Sequence, residues 1–136
     1  MSYPVAGMVR DFQPFGYPTD EPLCPHGMSV IVNVPAAYRF NSAPAPERHF
    51  EGAALLGANT ADAVPAEAGE ILAEHLAKMM QQTDMPNGVG GVGFDGADIG
   101  DLVAGALVQQ RLLSVSPREV QKEDLHSIYT AALRYW

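Results

Sequence analysis

The chain has 136 residues, the size of one folding unit. Hydrophobic residues make up 47% and charged residues 18%, which excludes a disordered chain. Lys plus Arg number 8 against 16 Asp plus Glu, and the net charge of -8 excludes both a basic nucleic-acid footprint and an adhesive surface for anionic membranes.

The single cysteine, Cys24, excludes an internal disulfide framework and a cysteine-rich zinc site. Met1-Ser2-Tyr3-Pro4 carries neither the basic nor the apolar region of a signal peptide. The longest apolar stretch, Met28 to Ala37, is interrupted by Ser29, Asn33 and Pro35 and is far short of the roughly 20 residues a spanning helix needs. A protein of the cytoplasm is expected, with no membrane and no nucleic acid among its partners.

In chain order, Pro4 to Phe12 predicts a short helix with Pro4 in its first turn. Pro14 to Pro25, with Gly16, Pro18 and Pro22 between them, predicts a loop. Gly27 to Asn41 is apolar on nearly every side and predicts a buried helix that kinks at Pro35. Pro46 to Leu56 opens on a proline and an acid, and Gly57 stops it.

Pro65 to Thr83 carries Ala68, Ile71, Leu72, His75, Leu76, Met79 and Met80 at helical spacing, with Glu67, Glu70, Glu74 and Lys78 on other faces. Asp95 to Leu113 opens with an aspartate cap and a second acid, Asp98, three residues on. Glu123 to Trp136 repeats the apolar spacing through Leu125, Ile128, Tyr129, Ala132, Leu133 and Trp136. No alternating strand pattern occurs, so the expected fold is all-α, with about five or six helices. Gln121, at the start of the last helix, is a poor N-cap, and this end is expected to fray.

Four features could carry chemistry. Gly88-Val-Gly90-Gly91-Val-Gly93 matches G-x-G-x-x-G, but a turn and a helix precede it where a dinucleotide site needs a strand, and no acid follows at the ribose distance. It reads as a loop between helices. Cys24 and His26 are neighbours in sequence, whereas nucleophilic pairs meet through the fold; Cys24 reads as a small loop thiol. The acids Glu67, Glu70, Glu74, Asp84, Asp95, Asp98 and Asp101 read as solvated faces and caps.

Of the histidines, His75 and His126 read as core-edge residues and His49 as a surface or partner-packing one. His26 differs: Pro25 and Gly27 flank it at the mouth of the apolar helix and aim it rigidly, as a metal ligand would be. The sequence spacing shows none of the partner ligands that a metal requires.

Pro25-His26-Gly27-Met28-Ser29-Val30, Val34-Pro35-Ala36-Ala37-Tyr38, Pro46-Glu47-Arg48-His49 and Leu55-Leu56-Gly57-Ala58 together resemble the iron-containing alcohol dehydrogenase family. The ending Ser116-Pro117-Arg118-Glu119-Val120, with Lys122-Glu123-Asp124-Leu125 and Ala131-Ala132-Leu133, is similar to that family's C-terminal signature. Within the family the resemblance is to the branch of the hydroxyacid–oxoacid transhydrogenases.

The resemblance implies that residues 1–136 are the C-terminal, helical, metal-binding domain of an oxidoreductase whose N-terminal NAD-binding domain is absent here. It implies Fe²⁺, or sometimes Zn²⁺, held between domains by an Asp and three His. The last of these matches His26, and the others fall before Met1. Tyr3 stands where the family often has a histidine near the nicotinamide.

The implied reaction is hydride transfer between a hydroxy acid or alcohol and a carbonyl, with 4-hydroxybutyrate as donor and 2-oxoglutarate as acceptor in this branch. Arg10, Arg39, Arg48 and Lys122 are the candidate cations for a substrate carboxylate. With one ligand and no dinucleotide domain, the isolated chain is expected to be catalytically inert. The alternative reading is a non-enzymatic helical module that oligomerises through the apolar Met28–Phe40 segment, and a homo-oligomer is expected.

Overall fold

The computed structural model describes residues 1–18 and 20–136. Thr19, within the predicted Pro14–Pro25 loop, lies outside them. The described residues form helices and turns with no strand, as the patterning predicts. The α-helices are α1 (Ser2–Met8), α2 (His26–Ile31), α3 (Val34–Asn41), α4 (Pro46–Leu55), α5 (Ala68–Gln82), α6 (Ile99–Leu107), α7 (Gln110–Leu113) and α8 (Lys122–Ala131).

The core is built by matched stripes. Ile99, Leu102, Val103 and Ala106 of α6 are buried, as are Leu125, Ile128 and Tyr129 of α8, with Ala132 just beyond. Each set repeats at three and four residues, which puts it on one helix face. The two faces pack together, and α1 closes over α6 with Val5 buried. Each Leu, Ile or Val removed from water in this way contributes about 1.5–3 kcal/mol. A second layer forms where α3 and α4 pack on α5, burying Ala53, Ala68, Leu72, Ala73, Ala77 and Met80. Arg39 of α3 clasps Glu70 of α5 with two bonds of 2.7 Å at the rim of that layer.

Several helices end earlier than their sequence periodicity predicts. The first spans Ser2–Met8 and stops short of Phe12. The apolar 27–41 run is two helices, because Pro35 lacks an N–H and is accommodated in the first turn of α3, not inside a longer helix. Asn33 heads that new helix.

The predicted 95–113 helix breaks at Val108–Gln109, with no Pro or Gly there. The Gln110 side chain donates to the Leu107 carbonyl at 2.7 Å, giving a partner to an acceptor at the break. The last helix stops at Ala131, not Trp136, because the glycine loop takes over its carbonyls: Val89 N–H donates to Ala132 O at 2.8 Å and Gly90 N–H to Leu133 O at 3.0 Å.

Among the described residues three helix starts are closed by carboxylates; at Pro65, Glu67 accepts from Val64 N–H at 2.9 Å. Asp95 accepts from Ala97 N–H at 2.7 Å and Asp98 accepts from Asp95 N–H at 2.9 Å, the reciprocal box that the sequence predicts. At α8, Asp124 reaches back to Gln121 N–H at 2.9 Å. The expected fraying at Gln121 is therefore opposed by the acid three residues on.

Candidate metal centre

Pro25 stands in extended backbone as the N-cap of α2, so His26 is the first helical residue. Ser29 N–H donates to Pro25 O at 2.9 Å and closes the turn. The buried Ser29 hydroxyl donates to the His26 carbonyl at 2.8 Å, and the buried Asn33 amide donates to the Ser29 carbonyl at 2.7 Å. This ladder pins the backbone of the His26 turn from beneath and leaves the imidazole exposed. Helix α1 packs on α2 and brings Tyr3 alongside: the two ring centres are 6.0 Å apart, with planes at 52°. Tyr3 is itself 48% exposed, so phenol and imidazole form the wall of an open surface.

The fold thus brings together the two residues that the resemblance marks, 23 positions apart in sequence (26 minus 3). It gathers no further metal donors around them. Among the described residues no three His, Cys, Asp or Glu side chains converge as a metal shell. A tetrahedral site needs three protein donors even when it keeps one position open. The donors of this chain therefore do not by themselves fit iron or zinc.

The other histidines differ in how far their rings are bonded; the buried Nε2 of His49 has no partner among the described residues. His49 is buried, against the expectation of a surface residue; its Nδ1 donates to Ala45 O at 2.9 Å and its ring meets Tyr38 edge-on at 5.5 Å. The Tyr38 ring covers it, which its charged neighbours Glu47 and Arg48 concealed. His75 is half-buried at the edge of α5, as expected, and its Nε2 bonds Leu56 O at 2.8 Å. His126 is exposed on α8, not at the core edge, because the buried stripe of that helix begins one position before it, at Leu125.

Cys24 is buried, and burial pushes its thiol up to about 11, which disfavours the thiolate that a nucleophile needs. Of the candidate carboxylate binders, Arg10 is held by Asp98 at 2.6 Å, Arg39 by Glu70 and Arg48 by Glu51 at 3.3 Å. Lys122 is exposed at the head of α8.

The glycine loop explains itself structurally. Gly88 has φ +65°, a left-handed conformation, and any Cβ there would strike the Ala132 carbonyl. At Gly90 a Cβ would lie 2.6 Å from Leu133 O. Gly91 N–H donates to Asn87 O at 3.0 Å and Gly93 N–H to Gly90 O at 3.1 Å. The amides of residues 89–94 are bonded within the fold, so they are not presented to a pyrophosphate. These glycines let the loop approach the end of α8.

Comparison with known proteins agrees with the all-helical fold. Residues 23–133 match the family model described as "Fe-containing alcohol dehydrogenase family, C-terminal". The chain belongs to the iron-containing alcohol dehydrogenase family, as its C-terminal helical part. It is 40% identical over all 136 residues to the mitochondrial hydroxyacid-oxoacid transhydrogenase of Bos taurus and 39% identical to that of Homo sapiens.

In each case the chain spans 29% of the relative's length. In solved structures, an alcohol dehydrogenase from Oenococcus oeni matches with a TM-score of 0.71 and 26% identity, over 80% of this chain and 28% of that one. A 1,3-propanediol oxidoreductase has the same fold, with a TM-score of 0.70 at 22% identity, over 80% of this chain and 28% of that one. No helix among the described residues is long and apolar enough to cross a membrane.

Proposed function

We propose that this chain is the metal-facing helical part of an oxidoreductase that moves hydride between a hydroxy acid or alcohol and a carbonyl, with NAD bound by polypeptide outside these 136 residues. The carrying observation is the exposed His26 imidazole, set on a braced helix start 6.0 Å from the Tyr3 ring, within a chain of this family. His26 supplies one nitrogen to Fe²⁺ or Zn²⁺, and at least two further donors come from elsewhere. Tyr3 offers a phenolic O–H to the oxygen of a substrate lying in front of His26. The relatives' name, hydroxyacid-oxoacid transhydrogenase, supports a hydroxy acid as donor and an oxoacid as acceptor; 4-hydroxybutyrate and 2-oxoglutarate are the pair that the family resemblance implies. The relatives' names place them in mitochondria, so a mitochondrial compartment stands beside the cytoplasmic expectation.

The test is a chimera in which these 136 residues replace the matched stretch of the bovine relative. The chimera is expected to carry metal and to transfer hydride from 4-hydroxybutyrate, while His26→Ala lowers bound metal at least ~tenfold. A His26→Ala chimera with unchanged metal content and rate would overturn the reading. The 136-residue chain by itself is expected to show no turnover with NAD and hydroxy acids.

A further inference from the structure

The sequence holds 4 asparagines, and only Asn87 is followed by glycine. In an Asn-Gly pair the glycine nitrogen can attack the side-chain amide carbon, because no Cβ on the glycine hinders the ring closure. The Gly88 N–H donates to no acceptor among the described residues, so its nitrogen is not engaged elsewhere. Asn87 is half-buried and lines a surface cavity of about 390 Å³ with Gly90, Phe94, Asp95 and Arg134, so water reaches it. The segment that follows α8 holds this pair still. Asn87 Oδ1 accepts from Tyr135 N–H at 2.7 Å, and its amide donates to the Trp136 carbonyl. Gly88 is buried, and a Cβ there would stand 2.2 Å from the Ala132 carbonyl oxygen. Ring closure must turn the Asn87 side chain and the peptide between residues 87 and 88, and residues 132–136 oppose both movements.

We propose that Asn87 is a deamidation site gated by residues 132–136: it keeps its amide while they are docked and loses it when they open. In the open chain Gly88 N bonds to Asn87 Cγ and gives up its proton, the Cγ–Nδ2 bond breaks, and ammonia leaves. Water then opens the cyclic imide, at Cγ to give aspartate or at the backbone carbonyl carbon to give isoaspartate. One water enters and one ammonia departs, with no change of oxidation state. The product does not restore the clasp. A carboxylate still accepts from Tyr135 N–H, but it has no donor for the Trp136 carbonyl and sets a negative charge against it. Arg134 lines the same cavity, and its Nε donates to that carbonyl at 2.9 Å; the new charge draws it away. Each opening that ends in deamidation leaves residues 132–136 less firmly held, so the site is a one-way switch. The inference is independent of the metal reading, because none of its readouts requires metal or turnover.

The experiment incubates the 136-residue chain in mildly alkaline buffer and follows Asn87 by peptide mass spectrometry, with the chain in strong urea as the ungated reference. Asn87 is expected to convert at least about tenfold more slowly in the folded chain than in urea. Equal rates in the two states would overturn the proposal. In urea too dilute to unfold the chain, conversion is expected to rise in step with hydrogen exchange at the Tyr135 amide. Conversion that waits for global unfolding would overturn the gate. A chain lacking residues 135–136 is expected to convert several-fold faster than the full chain while circular dichroism shows its helices intact. An unchanged rate there would overturn the gate as well; if the shortened chain unfolds, the dilute-urea series on the full chain decides. Asn87→Asp, the direct product, is expected to speed exchange at the Tyr135 amide, and unchanged protection would refute the switch.

Discussion

The hydroxyl of Tyr129, a fully buried residue in the last turn of α8, donates to the carbonyl of Met1 at 2.8 Å. The bond ties the start of the chain to its last helix, beneath the turn that presents Tyr3. Tyr129→Phe keeps the ring and removes the bond, leaving the Met1 carbonyl without that donor. The expected loss is about 1 kcal/mol, read as a lower urea midpoint at unchanged slope. A midpoint equal to that of the parent chain would show that water replaces the bond at no cost.

Burial also sets the alkaline limit. It pushes the Tyr135 phenol up to about 12 and Tyr129 well above its ordinary value. A phenol raised in the folded state binds its proton more tightly there than in the unfolded chain. Its contribution is complete below pH about 10, the ordinary phenol value, and is lost as pH rises toward the folded pKa. The Tm is therefore expected to fall from about pH 10 upward, with late tyrosinate absorbance appearing together with unfolding. Titration of all 5 tyrosines near their ordinary pKa with the fold intact would contradict the burial of these two.

The chain end depends on Asn87. Its Oδ1 accepts from Tyr135 N–H at 2.7 Å, and its amide donates to the Trp136 carbonyl. Asn87→Ala is expected to free the last residues and to cost about 1–2 kcal/mol. Hydrogen exchange at the Tyr135 amide measures the release directly, and unchanged protection there would refute the clasp.

The same approach makes the glycine loop intolerant. Gly90→Ala must displace either the loop or the Leu133 carbonyl, and it is expected to lower the Tm by several degrees, about 1–3 kcal/mol as overpacking usually costs. Titration of the chain with NAD is expected to give no saturable heat. Saturable heat that Gly90→Ala abolished would restore the dinucleotide reading of Gly88–Gly93.

At α8, Asp124→Ala removes the acceptor of Gln121 N–H and is expected to cost about 1 kcal/mol. Gln121→Thr adds a hydroxyl at the cap and is expected to stabilise by roughly 0.5–1 kcal/mol. If neither substitution moved the Tm, the helix start would have to lie elsewhere.

Much of this was legible in the residues themselves. Helical spacing in α6 and α8 identifies their buried faces, because side chains three and four apart share a face whatever lies opposite. In α5 the inward face is rotated from the expected stripe: Gly69, Ala73 and Ala77 turn in with Ala68, Leu72 and Met80, and Met79 is exposed. The capping acids Asp95 and Asp98 mark a start for the same local reason, and Pro25-His26-Gly27 with its flanking motifs marks the family. The resemblance marked Tyr3 and His26 separately; that their rings lie side by side comes from the packing of α1 on α2, because no local rule joins residues on two helices.

Helix ends were decided elsewhere. α8 stops at Ala131 because a loop more than forty positions earlier bonds its last carbonyls, and periodicity carries no information about such a partner. Asn33, an ordinary interruption of an apolar run, became a buried acceptor only once α2, α3 and α8 had packed. Spacing determines which face of a helix turns inward, while the tertiary packing decides what that face meets and which polar atoms are left to find a partner.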